Sequence, residues 1–169
     1  MKNRFLIPLV LFVVSCTGGN RQVTNTESRK EEIMKEARLA VDSLFGAIES
    51  NDYEKLISMY DTTSGFISVG SPKIYDYKSL VRHTRKVFPL VEKQTMETRF
   101  EKYVIIDPYC FQYVWAGANG VYMKSGEIAK YDDVVSIITF KKENGTWKII
   151  SIQEENYNMP SPQVAGDDD

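Results

Sequence analysis

Residues 140–150 read Phe140-Lys141-Lys142-Glu143-Asn144-Gly145-Thr146-Trp147-Lys148-Ile149-Ile150, and this stretch decides the fold. Asn144 and Gly145 both tolerate positive φ, as the tightest hairpin turns require. The flanks are rich in aromatic and β-branched residues, which suit a pleated, half-buried surface. A strand over Ile128–Lys142, carrying Val134, Val135, Ile137, Ile138 and Phe140, is therefore expected to turn back into a last strand over Trp147–Tyr157.

Working back toward the N-terminus, Lys124-Ser125-Gly126 turns the chain. Before it, Cys110–Met123 reads as an aromatic strand with Phe111, Tyr113, Trp115 and Tyr122. Gly117 and Gly120 inside this strand mark a bulge or a sharp bend. Asp107-Pro108 is a further turn. Ahead of it lies a long strand in which Met96, Phe100, Val104 and Ile106 are expected on one face and Glu97, Arg99 and Glu101 on the other. Four long strands joined by tight turns make an antiparallel meander.

Upstream of about residue 90 the apolar period changes from two to 3.6. Ile33, Ala37, Ala40, Val41, Leu44 and Ile48 form one stripe of a helix over Arg29–Ser50. Asn51-Asp52 breaks it and caps a short second helix, Tyr53–Tyr60. A short strand, Phe66–Val69, comes next and is closed by Gly70-Ser71-Pro72. Asp76 caps a third helix, Tyr77–Phe88, which Pro89 helps to end. Helices first and a meander after give an α+β layout, with the helices on one face of the sheet.

The two ends have a different character. Met1-Lys2-Asn3-Arg4 is a short basic start, and Phe5–Val14 is an apolar run of ten residues ending at Ser15-Cys16. This is signal-peptide anatomy, and the run falls short of the roughly 20 residues that a spanning helix needs. The residues before Cys16 resemble the bacterial lipobox, with Val13 where leucine is commonest. The expected organisation is a lipoprotein signal peptide over 1–15, lipidation at Cys16, a flexible polar tether over 16–28, a folded domain over 29–158 and a disordered acidic tail over 159–169. That organisation places the domain in the cell envelope, exported from the cytoplasm and held on a bacterial membrane by lipid.

Composition narrows the possible partners. The net charge is −2, and removal of Lys2 and Arg4 with the leader would make it −4. No basic stripe interleaved with aromatics is present, so nucleic acid is not an expected partner. The two cysteines are Cys16 and Cys110. With Cys16 lipidated, Cys110 has no disulfide partner and reads as a small buried hydrophobe. There is no phosphate loop, nucleophile elbow or metal motif, and no cofactor is expected.

Three stretches taken in order resemble the nuclear transport factor 2-like superfamily in its SnoaL-like branch. They are Ala47-Ile48-Glu49-Ser50-Asn51-Asp52-Tyr53-Glu54-Lys55-Leu56, then Gly65-Phe66-Ile67-Ser68-Val69-Gly70 running into a helix, then the closing hairpin at 140–150. The resemblance covers nearly all of Glu31 to Tyr157. It implies a cone: a curved antiparallel sheet wrapped on three N-terminal helices, a cystatin-like α+β roll with an apolar pocket at its open end. It also implies that a homodimer can form through the outer face of the sheet. Enzymes of this superfamily use pocket carboxylates with a tyrosine, or histidines with an aspartate. Gln153 falls where many relatives have a histidine, which argues against a histidine-based mechanism.

Strand parity puts Ser151, Gln153, Glu155 and Tyr157 on one face with Trp147. Tyr113, Trp115, Gln153 and Glu155 are the candidate ligand-binding residues on that basis, and Glu155 is the candidate base. The blander reading of Glu155 is a rim carboxylate, solvated or paired with Arg99. His83, flanked by Arg82, reads as a surface residue, and a lone histidine cannot assemble a zinc site. Asp132-Asp133 reads as a turn or rim pair. The expectation is a tethered domain that binds a small apolar ligand or a partner protein, leaning away from catalysis. An isomerase, dehydratase or cyclase using a pocket carboxylate is the alternative.

Overall fold

The computed structural model describes residues 19–63, 65–70 and 73–156. The leader, Cys16 and the tail expected over 159–169 lie outside the described residues. Helix α1 spans Gly19–Glu49 and α2 spans Tyr53–Ser58. Strands β1 (Ile67–Gly70) and β2 (Lys73–Tyr75) precede helix α3 (Tyr77–Val87). A 3-10 turn at Phe88–Leu90 leads into β3 (Val91–Asp107), β4 (Cys110–Met123), β5 (Ile128–Glu143) and β6 (Thr146–Asn156).

Helix α1 starts well before its apolar stripe, so the part of the expected tether from Gly19 to Ser28 is helical. Once a stripe has nucleated a helix, extending it is far cheaper than starting one. A Glu27–Lys30 pair at 3.4 Å adds modest support along the same side of the helix. The stripe itself packs as expected: Ile33, Ala37, Val41, Leu44 and Ala47 are all buried. Asn51 ends α1 at φ 55°, and its amide Nδ2 donates to the Val91 carbonyl at 3.1 Å. The Asp52 carboxylate accepts from the Lys55 amide at the start of α2. Asp76 caps α3 by accepting from the Ser79 amide at 2.7 Å.

The six strands form one sheet in the order β2-β1-β6-β5-β4-β3. All neighbours run antiparallel except β1 and β6, which are parallel. The fold class read from the sequence is the one observed. The two-residue turn at Asn144-Gly145 is also present, with φ values of 50° and 81°, joining Glu143 to its partner Thr146.

Register shifts at several points interrupt the sheet. Among them, the extra residue lies at Arg99 on β3, within Asp132-Asp133 on β5 opposite Ala118, and at Ile150 on β6 beside Thr139 and Phe140. Each inverts the parity of the residues beyond it on the bulged strand. On β3, Met96 shares a face with Glu101, and Phe100 and Val104 point to the convex side. The single apolar face expected from Met96 to Ile106 is thereby split. At Gly117 the strands approach so closely that a Cβ would lie 2.0 Å from the Glu97 carbonyl oxygen and 2.7 Å from the Trp115 ring. Only glycine fits this bend.

Candidate functional site

The cross-strand partners sort the concave side into rows. The innermost row joins Ile149, Phe140, Phe111 and Ile105. Phe111 and Phe140 stack at 4.6 Å, and Trp147 meets Phe111 edge-on at 4.9 Å. The next row is Ser68, Ile152, Ile138, Tyr113 and Tyr103, and the one beyond it is Gly70, Glu154, Ser136, Trp115 and Glu101. The concave wall therefore grades from wholly apolar to mixed polar over these three rows. Helix α1 covers its middle: Phe45 sets its ring edge-on to Tyr113 at 5.8 Å and to Trp115 at 5.9 Å.

Glu154 dominates the polar end. It is an exposed residue, and the protein packed around it raises its pKa by desolvation, partly offset by a hydrogen bond donated from Ser136 Oγ at 3.1 Å. At the facing residue, Gly70, a Cβ would meet nothing within 4 Å. Tyr60, buried at 6% exposure, has its phenol raised well above the ordinary range by burial and then by the Glu154 charge. The Tyr60 ring packs on Phe66 at 5.3 Å.

The predicted site residues divide in two. Tyr113 and Trp115 do face the concave side, but as core, each 1% exposed. Their polar atoms are engaged: the Tyr113 hydroxyl donates to Glu101 Oε2 at 2.9 Å, and Trp115 Nε1 donates to Thr98 Oγ1 at 2.8 Å. Burial and the Glu101 hydrogen bond raise the Tyr113 phenol pKa. Gln153 and Glu155 are exposed and pair across β5 with Ile137 and Val135 on the convex side. Their expected place in the pocket does not hold, because the bulge at Ile150 reverses the parity carried forward from Trp147. It delivers Glu154 to the concavity instead. The adjacent Ile149-Ile150, two apolar residues where alternation calls for one, is the trace of that bulge in the sequence.

The secondary candidates behave as surface groups. His83 is exposed and stacks on Tyr75 at 5.3 Å. Arg99 reaches over β4 to donate to the Asp132 carbonyl at 2.7 Å and to Asp133 Oδ1 at 3.4 Å. Cys110 is partly buried, and burial raises its thiol pKa, which keeps the thiolate scarce. Among the described residues no group of histidine, cysteine, aspartate or glutamate is placed to hold a metal ion. No helix of the described residues is long and apolar enough to cross a membrane.

No family model matches the sequence, and no curated protein matches it. Solved structures do match in shape. A Streptomyces avermitilis protein of the NTF2-like family, whose dehydratase activity is inferred, aligns at a TM-score of 0.66 and 13% identity, over 76% of this chain and 99% of its own. A nuclear transport factor 2-like superfamily protein from Salmonella enterica aligns at 0.62 and 10%, over 83% and 99%. A type 2 hexachlorocyclohexane dehydrochlorinase aligns at 0.60 and 9%, over 82% and 99%. At such identities the likeness is one of architecture, and it agrees with the curved six-stranded sheet and its helices: the chain carries the nuclear transport factor 2-like cone fold.

Proposed function

We propose that this chain is an exported, lipid-anchored domain that holds a small, largely apolar ligand on the concave side of its sheet, with Glu154 meeting the ligand's polar atom. The observation that supports it is an accessible carboxylate set among Ile152, Ile138 and Trp115 beside the open space at Gly70. A carboxyl with a raised pKa can donate a hydrogen bond when protonated and accept one when ionised. The partly buried Ile152, on the same side of β6, offers apolar surface to a hydrocarbon body.

The test is extraction of the protein purified from its native membranes, with mass spectrometry of whatever leaves it. A single small molecule retained by the parent chain and lost from Glu154→Ala supports the reading. An empty parent chain, or retention unchanged in the variant, counts against it. The anchor is tested separately: Cys16→Ser should leave the membrane fraction under alkaline wash.

The raised Glu154 pKa also favours a second reading, an enzyme of the isomerase, dehydratase or cyclase kind with Glu154 as its base. Once the retained molecule is known, turnover that is abolished in Glu154→Gln while affinity persists would select it. The partner reading is a homodimer through the convex side, where Phe100 and Val104 are exposed above Val114, Ala116, Val135 and Ile137. Phe100→Asp should then move the sedimentation coefficient from dimer to monomer.

A further inference from the structure

Among the described residues, one face of helix α3 is left exposed. Tyr77, Leu80, Val81 and Thr84 turn toward the body of the protein, all partly buried. Lys78, Arg82, Arg85 and Lys86 recur at helical spacing on the other side and are exposed, as is Lys73 on the adjoining β2. Among the described residues none of these five is in an ion pair. Residues 73–90 hold five basic side chains against one acidic residue, Asp76. The segment is thus +4 in a chain whose net charge is −2, leaving −6 elsewhere. At the end of the helix Val87 and Leu90 are exposed apolar side chains, Leu90 at 55%.

We infer that the α3 face docks on an anionic phospholipid surface. A basic patch with apolar residues at its end matches a headgroup layer: the cations meet lipid phosphates, and the apolar tips enter the acyl boundary. The sign contrast within one molecule gives the contact an orientation, since the acidic remainder is repelled by the same surface. Lys73 pairs with Gly70 in the row that holds Glu154, so the docked face borders the candidate site. The inference draws on the lipid-anchored reading only for the nearness of a membrane, and its test does not depend on Cys16.

The buried core runs from Ile33 to Ile149, so the chain without its first 16 residues keeps it. That form is sedimented with phosphatidylglycerol-containing vesicles and with pure phosphatidylcholine vesicles. Binding to the first and not the second is expected, and it should be abolished at high salt. Each cation near an anionic surface contributes a factor of about 5. Arg82→Glu with Lys86→Glu should therefore weaken binding at least about 25-fold without lowering the melting temperature. Lys102→Glu with Lys130→Glu, the same charge change elsewhere, should leave binding within a few-fold. The inference is overturned by absence of binding to either vesicle, by equal binding to both, or by equal losses from the two double variants. Retention of the parent on an immobilised acidic peptide with no vesicle binding would reassign the face to a protein partner and would also overturn it.

Discussion

The two ends of the concave wall are built from the same strands and do opposite work. At the narrow end Phe111, Phe140 and Ile149 are each 0% exposed, and Glu36 clamps the hairpin over them. Its carboxylate accepts from Lys142 Nζ at 2.6 Å and from Trp147 Nε1 at 3.2 Å. Two rows away Glu154 has, among the described residues, one neutral hydroxyl partner, and a surround that disfavours its charge. Two glutamates of one small domain thus sit in contrary electrostatic situations, one held ionised and the other pushed toward protonation. Tight packing is concentrated where the wall is apolar, at Phe111, Phe140 and Ile149.

The sharpest way to break this contrast is at the narrow end. Phe140→Ala should cost about 3–5 kcal/mol, because the stacked ring leaves a cavity that rigid neighbours cannot fill; chemical denaturation measures it. A loss under 1 kcal/mol would mean that the apolar rows are not where stability resides. Gly117→Ala comes next, at about 1–3 kcal/mol, since the new methyl collides with backbone as well as with Trp115. An unchanged midpoint would show that the bend relaxes freely.

Glu36→Gln should cost less, about 0.5–1 kcal/mol, because this pair is partly solvated. Its sign with pH is fixed. The Lys142 hydrogen bond is the largest influence on Glu36 and leaves its pKa below the ordinary 4.5. The stabilisation is therefore present above pH 4.5 and is lost as pH falls through the lowered folded value. Glu154→Gln should act in the opposite direction. Burial raises the Glu154 pKa above 4.5, so the parent is relieved of any penalty below that pH and acquires one as pH rises through the folded value. The variant should melt slightly higher than the parent at neutral pH and equal to it in acid. A lower melting temperature at neutral pH would mean that the ionised carboxylate is held by something other than Ser136, and the contrast between the two glutamates would fail.

Much of the architecture is legible in the sequence because it rests on local patterns. The 3.6 period of α1, the Asp76 cap and the Asn144-Gly145 turn each have a short-range cause, and each stands where that cause puts it. The site is less legible because its composition depends on parity counted along β6, and a bulge resets that count. Glu154 and Glu155 differ by one residue in the sequence and by a whole side of the sheet in space. Sequence alternation identifies the pair of faces without saying where the count slips. Met96 and Phe100 part company for the same reason, through the bulge at Arg99. The helical start at Gly19 is invisible to pattern because its cause, propagation from a stripe farther along, leaves no mark on the polar residues themselves.

The parallel pairing of β1 with β6 and the Glu36–Lys142 contact, which spans 106 positions, have a consequence in time. The stripe of α1 emerges early from the ribosome or a translocation pore, and the surface that covers it is completed only when Ile149 arrives. Fold closure is thus nearly end-to-end, a high-contact-order arrangement that pairs slowly because large loops must close before non-local contacts reward them. Until then Ile33, Val41 and Leu44 are exposed to other chains, and truncation anywhere before β6 removes a wall of the core rather than trimming an edge. C-terminal truncations ending before residue 149 should accumulate as aggregates rather than as shorter folded domains.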